Sequence, residues 1–165
     1  SILSDRKHGY DHSPNQIRLT LLRGPEWPDP EADRGSHHFS YAVYPHAGNW
    51  QTANTVRKAR EMSQPLQAIV GAVPGRAIGK LPPTGTFLEL NAENLVLMAL
   101  KPAEDNPHTY ILRCYEAHGK TATFKPTGLV TQSHQLGDRV NLLEQPQGGD
   151  RQITPWQIAS FQLSK

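Results

Sequence analysis

Cysteine is almost absent from this 165-residue chain, where Cys114 stands alone. A single thiol excludes a disulfide framework within the chain and a cysteine-rich zinc module, and it is compatible with a reducing compartment. Long apolar runs are missing as well. The longest, Leu95 to Leu100, has six residues, far short of the roughly 20 that a membrane-spanning helix needs, so no membrane partner is expected. Neither sign of charge dominates: 17 Lys and Arg stand against 15 Asp and Glu, a formal +2 with a pI near 8.8. That is not the footprint of a nucleic-acid binder. No secretory leader is visible in Ser1-Ile2-Leu3-Ser4-Asp5-Arg6, since it contains no long apolar segment. The chain opens on Ser, in what already reads as a strand, and is expected to be a fragment of a longer protein. Gly71, Gly75 and Gly79 lack a following Lys-Ser/Thr, so there is no phosphate loop, and no Gly-x-Ser-x-Gly occurs.

What the chain does have is turn formers. Its 13 Gly and 14 Pro are spread along the whole length, a pattern of many short elements typical of all-β architecture. With 36% hydrophobic residues and a mean hydropathy of −0.59, there is enough apolar material for a core. Alternation predicts strands at Ile17–Leu21, with Ile17, Leu19 and Leu21 on one face, and at Phe39–Tyr44, stopped by Pro45. Between them, Pro25, Pro28 and Pro30 are interleaved with Glu26, Asp29, Glu31 and Asp33, which predicts a long loop. Trp50, Ala53, Val56, Ala59 and Met62 step by three and predict a helix from about 50 to 62, with Asn49 as N-cap and Pro65 beyond its end. Further strands are expected at 66–73, 87–90, 95–101, 110–116, 121–125, 128–131, 139–143 and 157–163. The Pro- and Gly-rich 74–86 stretch reads as a linker. Seven short strands in the last 80 or so residues are the signature of a β-sandwich. Within 110–116, Tyr110, Leu112 and Cys114 share a face, so Cys114 reads as a small core hydrophobe.

Candidate chemistry is sparse. Of the eight histidines, His8 and His12 are spaced i, i+4, but Gly9 and Pro14 make that segment a loop. His37 and His38 are adjacent on a strand and point to opposite faces. His46 follows Pro45 in a turn. None of these arrangements favours a metal site. The loop carboxylates could form a pair for glycoside chemistry by number alone, but proline-spaced acids in a solvated loop brace turns. Trp50 is expected to anchor the helix to the sheet and Trp156 to plug the last strand into the core. Trp27 could equally be a sugar platform.

Three stretches taken together are more specific. The first is Leu3-Ser4-Asp5-Arg6-Lys7-His8-Gly9-Tyr10-Asp11 followed by Ile17-Arg18-Leu19-Thr20-Leu21-Leu22-Arg23-Gly24-Pro25. The second is Pro28-Asp29-Pro30-Glu31-Ala32-Asp33-Arg34-Gly35 leading into His38-Phe39-Ser40-Tyr41-Ala42-Val43-Tyr44-Pro45-His46. The third joins Phe87-Leu88-Glu89-Leu90, Asn94-Leu95-Val96-Leu97-Met98-Ala99-Leu100-Lys101 and Tyr110-Ile111-Leu112-Arg113-Cys114-Tyr115-Glu116. In order and spacing this series resembles the C-terminal part of glycoside hydrolase family 38, the α-mannosidases, in the bacterial and cytosolic form.

The resemblance implies a mainly β fold. Residues 1–73 would be the closing strands and one short helix of a large β-supersandwich, 74–86 a linker, and 87–165 a small immunoglobulin-like β-sandwich. It also implies a retaining, zinc-dependent exo-α-mannosidase whose aspartate nucleophile, acid/base carboxyl and zinc ligands lie in an N-terminal catalytic domain of the same polypeptide. None of those groups maps onto this chain, so no catalytic residue, metal ligand or cofactor is assigned here. One carry-over remains: Arg23 matches the position of a β-domain arginine that reaches back to the pocket edge and binds mannoside substrate. A surface arginine paired with Asp29 or Asp33 is the bland reading. The parent enzyme is expected to be cytoplasmic. The rival expectation is a stand-alone carbohydrate-binding β-sandwich.

Overall fold

The computed structural model describes residues 1–70 and 82–165. Residues 74–81 of the expected linker and 71–73 of the expected 66–73 strand lie outside the described residues. The chain divides into two compact units, Ser1–Ala72 and Val73–Lys165.

In the first unit, β1 (Ile2–Ser4) opens the chain. A hairpin follows, made of β2 (Tyr10–Ser13) and β3 (Gln16–Leu19). Its turn is Pro14-Asn15, with Asn15 at φ 62°, the proline-then-asparagine order of a type II turn. Asp11 and Arg18 face each other across the hairpin and form an ion pair. The expectation of a loop around His12 is therefore corrected, and the strand expected to run to Leu21 stops at Leu19. β4 (Tyr41–Val43) pairs antiparallel with β1, Leu3 opposite Ala42.

The helix, α1 (Thr55–Ser63), starts five residues later than the apolar steps suggested. Asn54 adopts φ 51° and ψ 39° and interrupts it. Asn49 does cap, but it caps the preceding turn: the Thr52 backbone N–H donates to Asn49 Oδ1 at 2.9 Å. Residues 66–70, expected to be extended into a strand, form none and are exposed. Among the described residues of this unit only Leu3 is buried. Tyr10, Ile17, Leu21, Leu22, Tyr41 and Val43 all remain exposed.

The second unit holds a real core. β5 (Leu95–Pro102), β6 (Thr109–Glu116), β8 (Gln135–Val140) and β10 (Ile158–Ser164) make an antiparallel sheet in the order β5-β6-β10-β8. The short β7 (Ala122–Thr123) and β9 (Gln152–Ile153) form a second, two-stranded layer. Leu95, Leu112, Cys114, Ala159, Phe161 and Leu163 from the larger sheet close on Ala122, Phe124 and Ile153. The Phe124 and Phe161 rings stack at 4.3 Å. This is the sandwich that strand spacing foretold, and Cys114 is fully buried in it. Burial pushes the thiol up to about 12, which leaves it inert. Ile111, on the opposite face of β6, is also buried, so the strand is covered on both sides.

Three local expectations fail. The segment expected to be a strand at 128–131 is instead the short helix α2 (Leu129–Ser133). Gly128 makes this possible: it sits at φ 115°, and a Cβ there would lie 2.6 Å from the Phe87 carbonyl oxygen. The 139–143 strand shifts upstream to β8, because Asn141 Oδ1 takes the backbone N–H groups of Leu143 and Gln145 and builds a turn. The 87–90 strand shrinks to one bridge between Glu89 and Thr127.

Candidate functional site

Arg23 lies four residues beyond the end of β3, exposed, in the loop that leads to Asp33. The bond between this arginine and Asp33 is made by backbone. Asp33 Oδ2 accepts the N–H of Gly24 at 2.7 Å and of Arg23 at 3.1 Å. The Gly24 N–H is the main reason that the Asp33 carboxyl titrates below its ordinary range, with burial opposing and the Arg23 N–H, His37 and Lys7 assisting. The guanidinium forms no ion pair with Asp29 or Asp33 among the described residues, so the side chain is available while its backbone is fixed. Trp27 stands in the same loop, 85% exposed. Of the proline-spaced acids, Asp29 and Asp33 brace turns through backbone N–H groups and Glu31 pairs with Arg34 at 2.8 Å.

The histidines do not converge. His37 Nε2 contacts the Asp33 carbonyl at 3.0 Å, His46 Nε2 the Ser1 hydroxyl at 2.8 Å, and His134 Nδ1 the Ser133 hydroxyl at 2.9 Å. Among the described residues no three His, Cys, Asp or Glu side chains come together in a way that could hold a metal ion. An open groove of about 860 Å³ runs along the second unit past Asn91, Asn94, Lys125, Thr131 and His134. Some of its polar groups are spent on the fold: Asn91 Nδ2 donates to the Lys125 carbonyl and the Thr127 hydroxyl, and Thr131 Oγ1 to the Gly128 carbonyl. His134 Nε2 is buried with no hydrogen-bond partner among the described residues.

The most elaborate polar arrangement is one that strand periodicity could not reveal. Glu116, the last residue of β6, is 1% exposed. Its Oε1 accepts from Asn94 Nδ2 at 2.9 Å and the His118 N–H at 2.7 Å; its Oε2 accepts from the Gly119 N–H at 2.8 Å and the Trp156 N–H at 2.9 Å. Burial alone would raise this carboxyl. The N–H groups of Trp156 and His118, the Asn94 amide and the Lys120 N–H outweigh it and bring it down to about 2. A carboxylate so saturated with donors stays ionised and has little lone-pair capacity left, so it serves as a clamp and not as a proton carrier. What it clamps is the turn at 117–120 to the turn at 154–157.

Trp156 is therefore not the core plug expected of it. It is 63% exposed, with φ 62°, a conformation that disfavours bulky residues by about 1–2 kcal/mol. Its indole lies against Gly119, where an added Cβ would come within 2.7 Å of Cζ2. The available signal was a glutamate closing an apolar strand: a buried acid must find donors, and the following Ala117-His118-Gly119 turn supplies them.

Two family models match the chain. Residues 1–31 match the glycosyl hydrolases family 38 C-terminal domain, and residues 94–161 match the family's C-terminal beta sandwich domain. The chain is a C-terminal region of family 38. Its first matched segment contains β1 to β3, Arg23 and Trp27. The second begins at Asn94 and holds the whole Glu116 clamp. Among curated proteins, this family 38 region is 32% identical over 130 residues to alpha-mannosidase G of Dictyostelium discoideum. It is 35% identical over 121 residues to alpha-mannosidase 2C1 of Homo sapiens and 36% over 148 residues to that of Mus musculus. These alignments cover 79%, 72% and 88% of the chain but only 12%, 11% and 14% of the relatives, so the chain spans about an eighth of their length.

Proposed function

We propose that this family 38 region is the non-catalytic C-terminal portion of a retaining, zinc-dependent α-mannosidase. It completes the enzyme's β-scaffold and lends Arg23 to the edge of the mannoside pocket. The observation that carries this reading is the pair of family matches, in order, at both ends of a chain whose relatives are named alpha-mannosidases. The poverty of the first unit supports it. One buried side chain among its described residues cannot stabilise strands that leave Tyr10, Ile17, Tyr41 and Val43 exposed, which suits a piece built to be covered by the catalytic domain of the same polypeptide.

The purified chain should not hydrolyse an aryl α-mannoside, with or without added zinc. Turnover that disappears in Asp29→Asn or Glu31→Gln would overturn the non-catalytic assignment. In the full-length enzyme, Arg23→Ala should lower kcat/KM roughly 10- to 100-fold, the loss of a charge-assisted hydrogen bond to a sugar hydroxyl. Arg23→Lys should restore only part of it, because a point charge does not replace a planar fork. Unchanged kinetics would assign Arg23 to the surface.

A stand-alone carbohydrate-binding module is the second reading, favoured by the exposure of Trp27. Calorimetric titration with mannose and oligomannosides separates the two. Binding by the isolated chain that is lost in Trp27→Ala supports the module.

A further inference from the structure

We infer that Asp33 is a positioning residue for Arg23: its carboxylate pins the backbone at the root of the 24–33 loop and so fixes the direction in which the Arg23 side chain leaves the chain. Arg23 as a group at the edge of the mannoside pocket is the reading proposed above, on which this role of Asp33 rests.

The anchor is made of backbone. Asp33 Oδ2 accepts the N–H of Gly24 at 2.7 Å and that of Arg23 at 3.1 Å. Two successive N–H groups converge on one anionic oxygen where the chain passes through a left-handed residue, and Gly24 provides it at φ 59°. The Gly24 N–H is the main group that keeps this carboxyl ionised, against the opposing effect of burial, and the Arg23 N–H, His37 and Lys7 add to it. Bonds to an ionised acceptor are roughly twice as strong as neutral ones.

Asp33 is itself held from the other side. Its carbonyl accepts from His37 Nε2 at 3.0 Å. The residues before it are closed on one another: Asp29 Oδ1 takes the Glu31 N–H at 2.9 Å, the Glu31 carbonyl takes the Arg34 N–H at 3.0 Å, and the Glu31 carboxylate pairs with the Arg34 guanidinium at 2.8 Å. The result is a compact surface loop with tied ends, and the knot lies on the arginine assigned to the substrate and on the residue after it. A direct ion pair between Asp33 and the guanidinium would hold that charge away from a sugar. A bond to the backbone fixes the root and leaves the planar fork free. Less freedom is then lost when the fork meets a hydroxyl, and displacing such a group by about 1 Å costs on the order of 100-fold in rate.

The test uses the full-length enzyme and an aryl α-mannoside, with rates taken per folded, monodisperse enzyme. Asp33→Ala should lower kcat/KM about tenfold, divided between KM and kcat in the same way as the loss in Arg23→Ala. Asp33→Asn keeps an oxygen for the two N–H groups and should recover most of this, to within about threefold of the native enzyme. In an Arg23→Ala background, either Asp33 change should cost less than about twofold, because no side chain is left to position. Should Asp33→Ala fail to fold, the smaller loss in Asp33→Asn and its disappearance in that background carry the same test. Exchange of the Arg23 and Gly24 amides should be at least about tenfold faster in Asp33→Ala. Unchanged exchange would overturn the anchor. Native kinetics in Asp33→Ala beside an impaired Arg23→Ala, or losses that multiply in the double variant, would overturn the inference and leave the reading of Arg23 standing. Native kinetics in Arg23→Ala would end that reading and this role with it, so the two failures are distinguishable.

Discussion

Glu116 shows how much of this unit hangs on one side chain. Its ionised form is favoured by donors from three separate points of the chain, so its folded pKa, about 2, lies below the ordinary value of 4.5. The unfolded chain therefore binds this proton first as pH falls. The stabilisation is fully present above about pH 4.5 and is lost as pH drops toward 2, and a shift of this size corresponds to about 3 kcal/mol. Urea midpoints measured from pH 6 to pH 2.5 should decline steeply in the native chain and more gently in Glu116→Gln. The variant should also be less stable at neutral pH by roughly 2–4 kcal/mol, because a neutral amide cannot satisfy four donors. Equal pH slopes would remove Glu116 from its role as clamp. Cys114 makes the complementary case. Buried, with its thiol raised to about 12, it should react with a thiol reagent only as fast as the sandwich opens. Cys114 was readable in advance because an apolar alternating strand has an unambiguous inner face. Glu116 and Trp156 were not, because their roles depend on partners 40 residues apart that no local pattern relates.

At the scale of elements, what was legible follows from length. β5, β6 and β10 carry seven or eight residues each, long enough for apolar periodicity to declare them. β7 and β9 have two residues each and α2 has five, too few for any period. β3 falls within the strand that the Ile17–Leu21 alternation predicts, but its partner β2 was not legible, because Tyr10-Asp11-His12-Ser13 carries no apolar alternation and is paired through a turn and the Asp11–Arg18 ion pair. α1 was found but misplaced, since apolar spacing cannot register that Asn54 takes a left-handed conformation. The start of α2 gives an element-level test. Gly128→Ala would set a methyl against the Phe87 carbonyl at 2.6 Å, at a φ that alanine resists. It should destabilise the second unit by about 2–4 kcal/mol in denaturant melts. A loss below about 0.5 kcal/mol would mean that the 86–87 backbone yields easily.

Over the whole molecule the two units differ in kind. The second unites eleven buried residues in one cluster, whereas the first has Leu3 as its buried side chain among the described residues. Native-state hydrogen exchange of the isolated chain should therefore show strong protection in β6 and β10 and little in β2, β3 and β4. Comparable protection in both units would mean that the first is stable by itself. Sedimentation should also show concentration-dependent association of the isolated chain through the first unit's exposed apolar side chains. The large assignments, a mainly β chain from the end of a family 38 protein, were legible because turn residues and ordered motifs are global features.

Sheet order carries a consequence for biosynthesis. β10, the last strand of this chain, sits in the interior of the sheet between β6 and β8. β6 is translated about 40 residues earlier and has one long edge open until that strand arrives. A product that ends between 141 and 157 would carry a sheet split down its middle, with the facing edges of β6 and β8 bare and inviting pairing with other molecules.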